Sequence, residues 1–554
     1  MSGLIKNEMI KLSKQTSYRI MTVILAAIII LTPVFNFLFP LLFTFSYDPS
    51  DEIGFYLDEA DCYEEGSIER QYYLDCVEPV EFFLDEDGKV DWKYDFYIYE
   101  YEDLYMKVKA YEYIENGKFG IEEIFDSNYS IYLDVDNDAP LNALTAKLTE
   151  LENEIATISF SDYVKAEKEL YEQNAAAIDL ELLALYDQRA LLSEDNPKLN
   201  YEIEAKEAEL DATNDLIGAY ELIVDSVEEP DDWHYQTVGI MKNSTMSLSS
   251  VVMPKELFDE SEESYFYNGD YDEYVRQTKS DRRIAYEATE IFKHSLKTDI
   301  PVSGIESASK SNFRASITSI MGILLIATVI MFGLTLSSEF SSGTVRLLLI
   351  RPKTRAKILT SKIIAILIYI GLVSVFAVAV TFVLGTVFGF GFGDMLVPDI
   401  IMIGETAVAL PSIIMHGVVL LEGLITVIFF GMLALLISVI VKKAALSIAL
   451  PIVLNSIGAT VQSISLLVAS YSGLGTLTAL LPTSYIDLTL FNMTAAEYYV
   501  SMYGGNLLAI FGGGMYYDVM PQMFPILGVI YYLIFIAAFT VLSYVVFKRT
   551  QIKS

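Results

Sequence analysis

Long apolar runs alternate with polar stretches, and the longest polar stretch follows the first run. Apolar runs cover residues 20–45, 315–337, 363–388, 413–440, 444–469 and 523–547. Each is long enough for a helix to cross a hydrocarbon core, which takes roughly 20 residues. The pattern predicts an α-helical polytopic membrane protein with six transmembrane helices. Residues 1–19 read as an amphipathic helix: Leu4, Ile5, Met9 and Leu12 share one face, and Lys6, Lys11 and Lys14 face away. Such a helix lies at a membrane surface. The first run, within residues 20–46, reads as an uncleaved anchor, because it is too long for a secretory signal and no small-residue cleavage site follows.

Residues 47–311 form the polar insert. Val80 to Leu84, then Asp87-Gly88, then Val90 to Tyr99 predicts a β-hairpin. Val238 to Met241 and Leu248 to Val252 predict two further strands. Between them, Leu141, Leu144, Leu148, Leu151, Ile155 and Ile158 form a heptad seam. Leu199, Ile203, Leu210, Ile217 and Val224 form a second, and Asp195-Asn196-Pro197 supplies a turn. The expectation is an inserted extracytoplasmic α+β domain carrying a helical hairpin over about 140–228, with a dimeric coiled coil as the alternative.

Composition sharpens this division. The chain of 554 residues is 53% hydrophobic, with a mean hydropathy of +0.38 and a formal net charge of -37. Residues 47–311 hold 65 acidic and 21 basic side chains, whereas the rest holds 9 acidic and 16 basic. The insert is acidic and the membrane part mildly basic. From residue 315 on, the basic residues cluster at 346–362, at Lys442-Lys443 and after residue 547. By the positive-inside rule these segments and both chain ends are cytosolic, and the insert is outside.

The segment 338–362 between the second and third runs carries a specific order of residues. Glu339 ends one span, Gly343-Thr344 follows, and Leu347 to Ile350 is apolar. Pro352 breaks that run, Arg355 comes next, and Lys362 opens the following span. This order resembles the first cytosolic loop of ABC-2 type permeases, the membrane subunits of one class of bacterial ABC exporter. Asn7-Glu8 followed by Lys11 resembles their N-terminal helix. The six-span layout with an enlarged first outer loop is also similar to that family; the insert itself is not covered.

The resemblance implies docking of a separate ATPase subunit on this loop, through Glu339, Gly343, Thr344, Arg346, Leu347, Leu348, Pro352 and Arg355. Lipid head-group anchoring is the plainer use of Arg346 and Arg355. No GxxxxGK[ST] phosphate loop occurs, so the chain is expected to be no enzyme, with ATP and Mg bound by the partner and no cofactor of its own. The resemblance further implies a second permease chain, as homodimer or heterodimer. Membrane lipids are expected contacts and nucleic acid is not. The expected location is the bacterial cell membrane, and the expected cargo a hydrophobic or amphipathic molecule such as an antimicrobial peptide, a lipid or a drug. The alternative is a membrane-anchored surface protein that binds or senses peptides through its insert.

Three polar residues within spans are candidates for a pathway. Glu422 is either part of a proton or cation relay with His416, a paired structural acid, or one facing a wet cavity. Asn455 and Gln462, seven apart, either line a pathway or bond between helices. Cys62 and Cys76 are the only cysteines, and form either a short disulfide loop or two free thiols. Asp134, Asp136 and Asp138 lack the glycine and closing glutamate of a calcium loop and read as a solvated turn. With His234, His294 and His416 as the only histidines, no metal site is expected.

Overall fold

The structure, a computed structural model, describes residues 2–14, 16–43, 50–84, 90–133, 139–191, 196–305, 309–341, 354–387, 394–472, 475–503 and 525–549. It is predominantly helical. The amphipathic helix α1 is Ser2–Lys14 and α2 is Thr16–Phe43. The polar stretch holds α3 (Ser50–Ala60), α4 (Ile68–Glu81), α5 (Tyr94–Glu115), α6 (Ile121–Phe125), α7 (Leu141–Thr157), α8 (Phe160–Leu191) and α9 (Pro197–Ile223). It continues with α10 (Trp233–Leu248), α11 (Lys255–Phe258), α12 (Glu262–Phe266) and α13 (Tyr271–Thr298). The membrane part follows as α14 (Ser309–Ser341), α15 (Arg355–Val387), α16 (Ser412–Val441), α17 (Ala444–Ser472), α18 (Gly475–Thr478), α19 (Ala495–Tyr503) and α20 (Pro525–Arg549).

Among the described residues, six helices are long and apolar enough to cross a membrane: those over Tyr18–Phe35, Lys310–Phe340, Arg355–Val387, Ser412–Val441, Ala444–Ala469 and Pro525–Arg549. The protein is a helical membrane protein. Its central pair is α14 and α16, where two glycines permit close approach. A Cβ at Gly423 would lie 2.6 Å from Met321 Cγ, and one at Gly431 2.7 Å from Phe332 Cδ2. The core of this part joins Leu25 and Ile29 of α2 to Leu324, Phe332, Leu359, Val427 and Phe430.

The predicted α+β insert is corrected to helix. Apart from one isolated bridge, Leu84 to Val90, no strand occurs in it among the described residues. The apolar positions obey a helical period that the local β-propensity masks. Cys76, Val80 and Phe83 are buried at spacings of 4 and 3, as are Tyr94, Tyr97, Ile98, Tyr101 and Tyr105. Val238, Met241 and Thr245 do the same on α10, where strands were expected. The two seams also differ from expectation. The first, on α7, buries Leu144, Leu148, Leu151 and Ile155 against α5. The second instead meets α8: Leu199 and Ile203 pack with Ile178 and Leu182. The hairpin is therefore α8–α9, and Asn196 caps the start of α9, its side chain accepting from Lys198 N and Leu199 N at 3.1 and 3.2 Å.

Nor does the insert form one compact unit. Residues 43–166 with 227–230 form one unit, and the remainder of the insert clusters with the spans in the other. The smaller unit buries Asp75, whose Oδ2 accepts from Tyr113 and Tyr129 hydroxyls at 2.7 and 2.6 Å and whose Oδ1 accepts from Gln71 Nε2 at 2.7 Å. Tyr105 donates to Glu78 at 2.5 Å and Tyr132 to Glu102 at 2.8 Å. Tyrosine hydroxyls here satisfy carboxylates, which explains why a unit rich in Tyr and acid folds without matching lysines. Of the two alternatives for the cysteines, the structure has the free thiols. Cys62 is exposed and Cys76 buried, and both are free thiols. Burial first, and the Glu102 carboxylate second, push the Cys76 thiol up to about 12.

The described strands are β1 (Asp399–Ile403) and β2 (Thr406–Leu410), an antiparallel hairpin closed at Gly404-Glu405. Gly404 takes φ +67°, the left-handed value such a two-residue turn requires.

Candidate functional site

The loop motif falls largely outside the described residues: Gly343, Thr344, Arg346, Leu347, Leu348 and Pro352 lie there, while Glu339 and Arg355 flank it. What the structure describes is how both flanks are held. Glu339 sits near the end of α14, and Lys362 lies two turns into α15. Lys362 Nζ donates to Glu339 Oε1 at 2.9 Å, with both side chains almost fully buried. Lys11 of α1 reaches the same oxygen at 2.5 Å, and Lys362 also reaches Glu8 Oε2 at 3.2 Å. Two acids and two lysines thus tie three helices together where 342–353 departs and returns. Burial lowers the affinity of Lys11 for its proton, but the hydrogen bond and charge of Glu339 outweigh it, so its pKa is raised.

This bears on one expectation. Glu339 is 5% exposed and its Oε1 is held by Lys11 and Lys362, so what the structure shows of it is a tie within the chain. Arg355, by contrast, is half-buried and donates to the Lys548 carbonyl at 3.0 Å, fastening the start of α15 to the end of α20. Tyr18 adds a further link from α2 to α14 through the Met331 carbonyl.

A second charged cluster lies at the other end of α14. Arg314 pairs with Asp399 of β1 and, at 3.5 Å, with Glu497 of α19. Lys310 reaches Asp399 at 3.6 Å and the Pro398 carbonyl at 3.2 Å. His416 joins it: its Nδ1 accepts from Arg314 Nε at 3.4 Å and its Nε2 meets the Met395 carbonyl at 3.0 Å. Sequence reading missed this cluster and the roles of Glu8, Lys11 and Lys362 as one unit. The available signal was a charge bordering an otherwise uncharged run, repeated at both ends of α14.

Glu422 is buried on α16 and accepts from Asn492 Nδ2 at 2.6 Å. The structure does not bring it to His416. Six residues make about one and two-thirds turns, so the two side chains leave the helix on different sides. The relay gives way to a paired acid. Gln462 is likewise removed from a pathway role. It donates to the carbonyls of Ser484 and Asp487 at 3.2 and 3.0 Å and accepts from Asp487 N at 2.6 Å, clamping the 482–488 turn onto α17. Asn455 is half-buried on the same helix. No group of three or more potential ligands suited to a metal occurs among the described residues.

Residues 291–552, a little under half of the chain, match a family described as a protein of unknown function (DUF2705). The match begins in α13 and runs through α20, leaving out the acidic unit. No curated protein matches the chain.

Proposed function

We propose that this chain is the permease subunit of an ATP-driven ABC-2 type exporter. In this reading it lies in the bacterial cell membrane with both ends cytosolic and the acidic unit outside. It pairs with a second permease chain, and a separate ATPase subunit docks on segment 342–354 and hydrolyses ATP. The cargo is a hydrophobic or amphipathic molecule such as a peptide, lipid or drug. The observation that supports this best is the Glu8–Lys11–Glu339–Lys362 cluster, buried at Glu339 and Lys362, which makes α1, α14 and α15 respond together to a push on that segment. A segment held at both flanks converts a push into movement of packed helices instead of dissipating it in side chains. The tyrosine-lined acidic unit has no part in this step and is assigned none.

The test is co-purification of the full chain with a candidate ABC ATPase subunit, with and without replacement of residues 343–355 by a Gly/Ser segment. Binding lost on replacement supports docking there. Binding retained after replacement overturns it, as does ATP hydrolysis by the isolated permease chain.

A further inference from the structure

One cavity in the body that carries the spans has no part in the coupling reading. It encloses about 570 Å³ between α9, α10, α13 and α19. That is within the roughly 300–1,000 Å³ usual for small-molecule sites. Six tyrosines line it: Tyr201, Tyr267, Tyr274, Tyr498, Tyr499 and Tyr503. Two carboxylates, Glu263 and Asp281, line it as well, and among the described residues no lysine or arginine does. That absence is built by helix register. On α13 the lining residues Tyr274, Gln277, Thr278, Asp281 and Ile284 recur at spacings of 3 and 4. Arg276, Lys279, Arg282 and Arg283 fall at the positions between, on other faces of the same helix.

We infer that this cavity binds an organic cation whose head group is an alkylammonium. Aromatic faces attract such a head through their quadrupoles, and the ammonium is most stabilised where water is partly excluded. The carboxylates balance its charge and repel anions. The same field is visible on Tyr267: burial first, then the Asp281 and Glu263 carboxylates, hold its hydroxyl above the ordinary value. A hard divalent ion fits less well. Calcium takes six to eight oxygen ligands, and magnesium near-ideal octahedral geometry, whereas this lining offers two carboxylates and no group of three or more potential metal ligands occurs among the described residues. Asp281 is positioned by Gln277, which donates to its Oδ1 at 2.9 Å. Tyr274 is fixed by the backbone at Val251 and Met253. The site therefore has both a set charge and a set ring. It does not rest on the export reading, since a chain that moves nothing would bind the same cation.

The test is calorimetric titration of the full chain, in a nonionic detergent, with choline and with its neutral isostere 3,3-dimethyl-1-butanol. Choline should bind saturably, and the neutral isostere at least about tenfold more weakly. Asp281→Asn should weaken choline about tenfold. Tyr267→Leu should weaken it several-fold, while Tyr267→Phe, which keeps the ring, should stay within about twofold of wild type. Glu263→Gln, at an exposed position, provides a second charge variant should Asp281→Asn alter folding. A short-chain phosphatidylcholine arm separates sources: competition points to a lipid head group, and its absence to a free cation, either supporting the cation site. Equal binding of the neutral isostere, no binding of choline by wild type, or unchanged choline affinity in folded Asp281→Asn and Glu263→Gln overturns the inference.

Discussion

The smaller unit and the span-bearing body both bury carboxylates, and they do so with opposite chemistry. In the smaller unit the buried Asp75, the half-buried Glu102 and the more exposed Glu78 are met by tyrosine hydroxyls. At the ends of α14, Glu339 and Asp399 are met by lysine and arginine. A hydroxyl donor leaves the acid's charge in place, so the smaller unit keeps a negative field. An ammonium cancels it, as burial among apolar spans requires. The choice follows from surroundings: charge left uncompensated is tolerable near water and costly among membrane helices.

The largest expected consequence is at Glu339. Glu339→Ala leaves Lys11 and Lys362 facing each other with only Glu8 remaining. Removing one partner of a buried pair costs about 3–5 kcal/mol. Thermal unfolding of the purified chain should show the loss, and Lys362→Met should show one of similar size. Combining Glu339→Leu with Lys362→Met should recover much of it, because the buried charge is then gone from both sides. Additive losses in the double variant would break the claim that these residues act as one cluster.

In the smaller unit the same operation should cost less. Tyr129→Phe removes one hydroxyl from Asp75, but Tyr113 and Gln71 still donate to it. The expected loss is about 1–2 kcal/mol. Trp92 lies in this unit, and Trp233 is the only other tryptophan. In a Trp233→Phe background, Trp92 fluorescence during urea unfolding therefore follows this unit. A loss as large as that at Glu339 would erase the distinction between neutral and charged partners.

The contrast also explains what the sequence could disclose. Six spans are legible because lipid imposes one uniform demand, length and apolarity, that any window can measure. Glu339 and Lys362 stand out because a charge bordering such a run is conspicuous. The smaller unit imposes no uniform demand. Its tyrosines and valines carry β-propensity, and Val90 to Tyr99 alternates well enough to mimic a strand. Only the partners across the unit, such as Asp75 with Tyr113 and Tyr129, select the helical period, and they lie 38 and 54 residues away. The two leucine seams were visible, but their pairing was not, because a heptad stripe states that it is buried without stating against what. Gln462 was visible as a polar residue in a span; its clamp on 482–488 depends on a turn with no local signature.

The cysteines test the same two environments by reactivity. Cys62 is exposed and should react with a maleimide at neutral pH in the folded chain. Cys76 is buried, and its thiol, pushed up to about 12, leaves very little thiolate at pH 7. Mass spectrometry should find one label before denaturation and two after. Two rapid labels would mean that the α4–α5 packing opens readily, and none would restore the disulfide.

The smallest expected effect is one of pH, and its sign separates the two modes of pairing. Burial raises the pKa of Glu102; the Tyr132 hydroxyl opposes this, and the Glu52 and Asp103 charges add to it, for a net upward shift. A carboxyl whose folded value exceeds its unfolded value adds stability below the unfolded value and loses it as pH rises through the folded one. The Trp92-reported unit should therefore gain slightly in stability as pH falls from 7 toward 5, the portion due to Glu102. Glu102→Gln should flatten that slope while keeping an acceptor for Tyr132. A slope unchanged by Glu102→Gln would place its source elsewhere in the acidic surface. The opposite slope would mean that Tyr132 outweighs burial, making the hydroxyl as strong a partner for an acid as the lysines of α1 and α15.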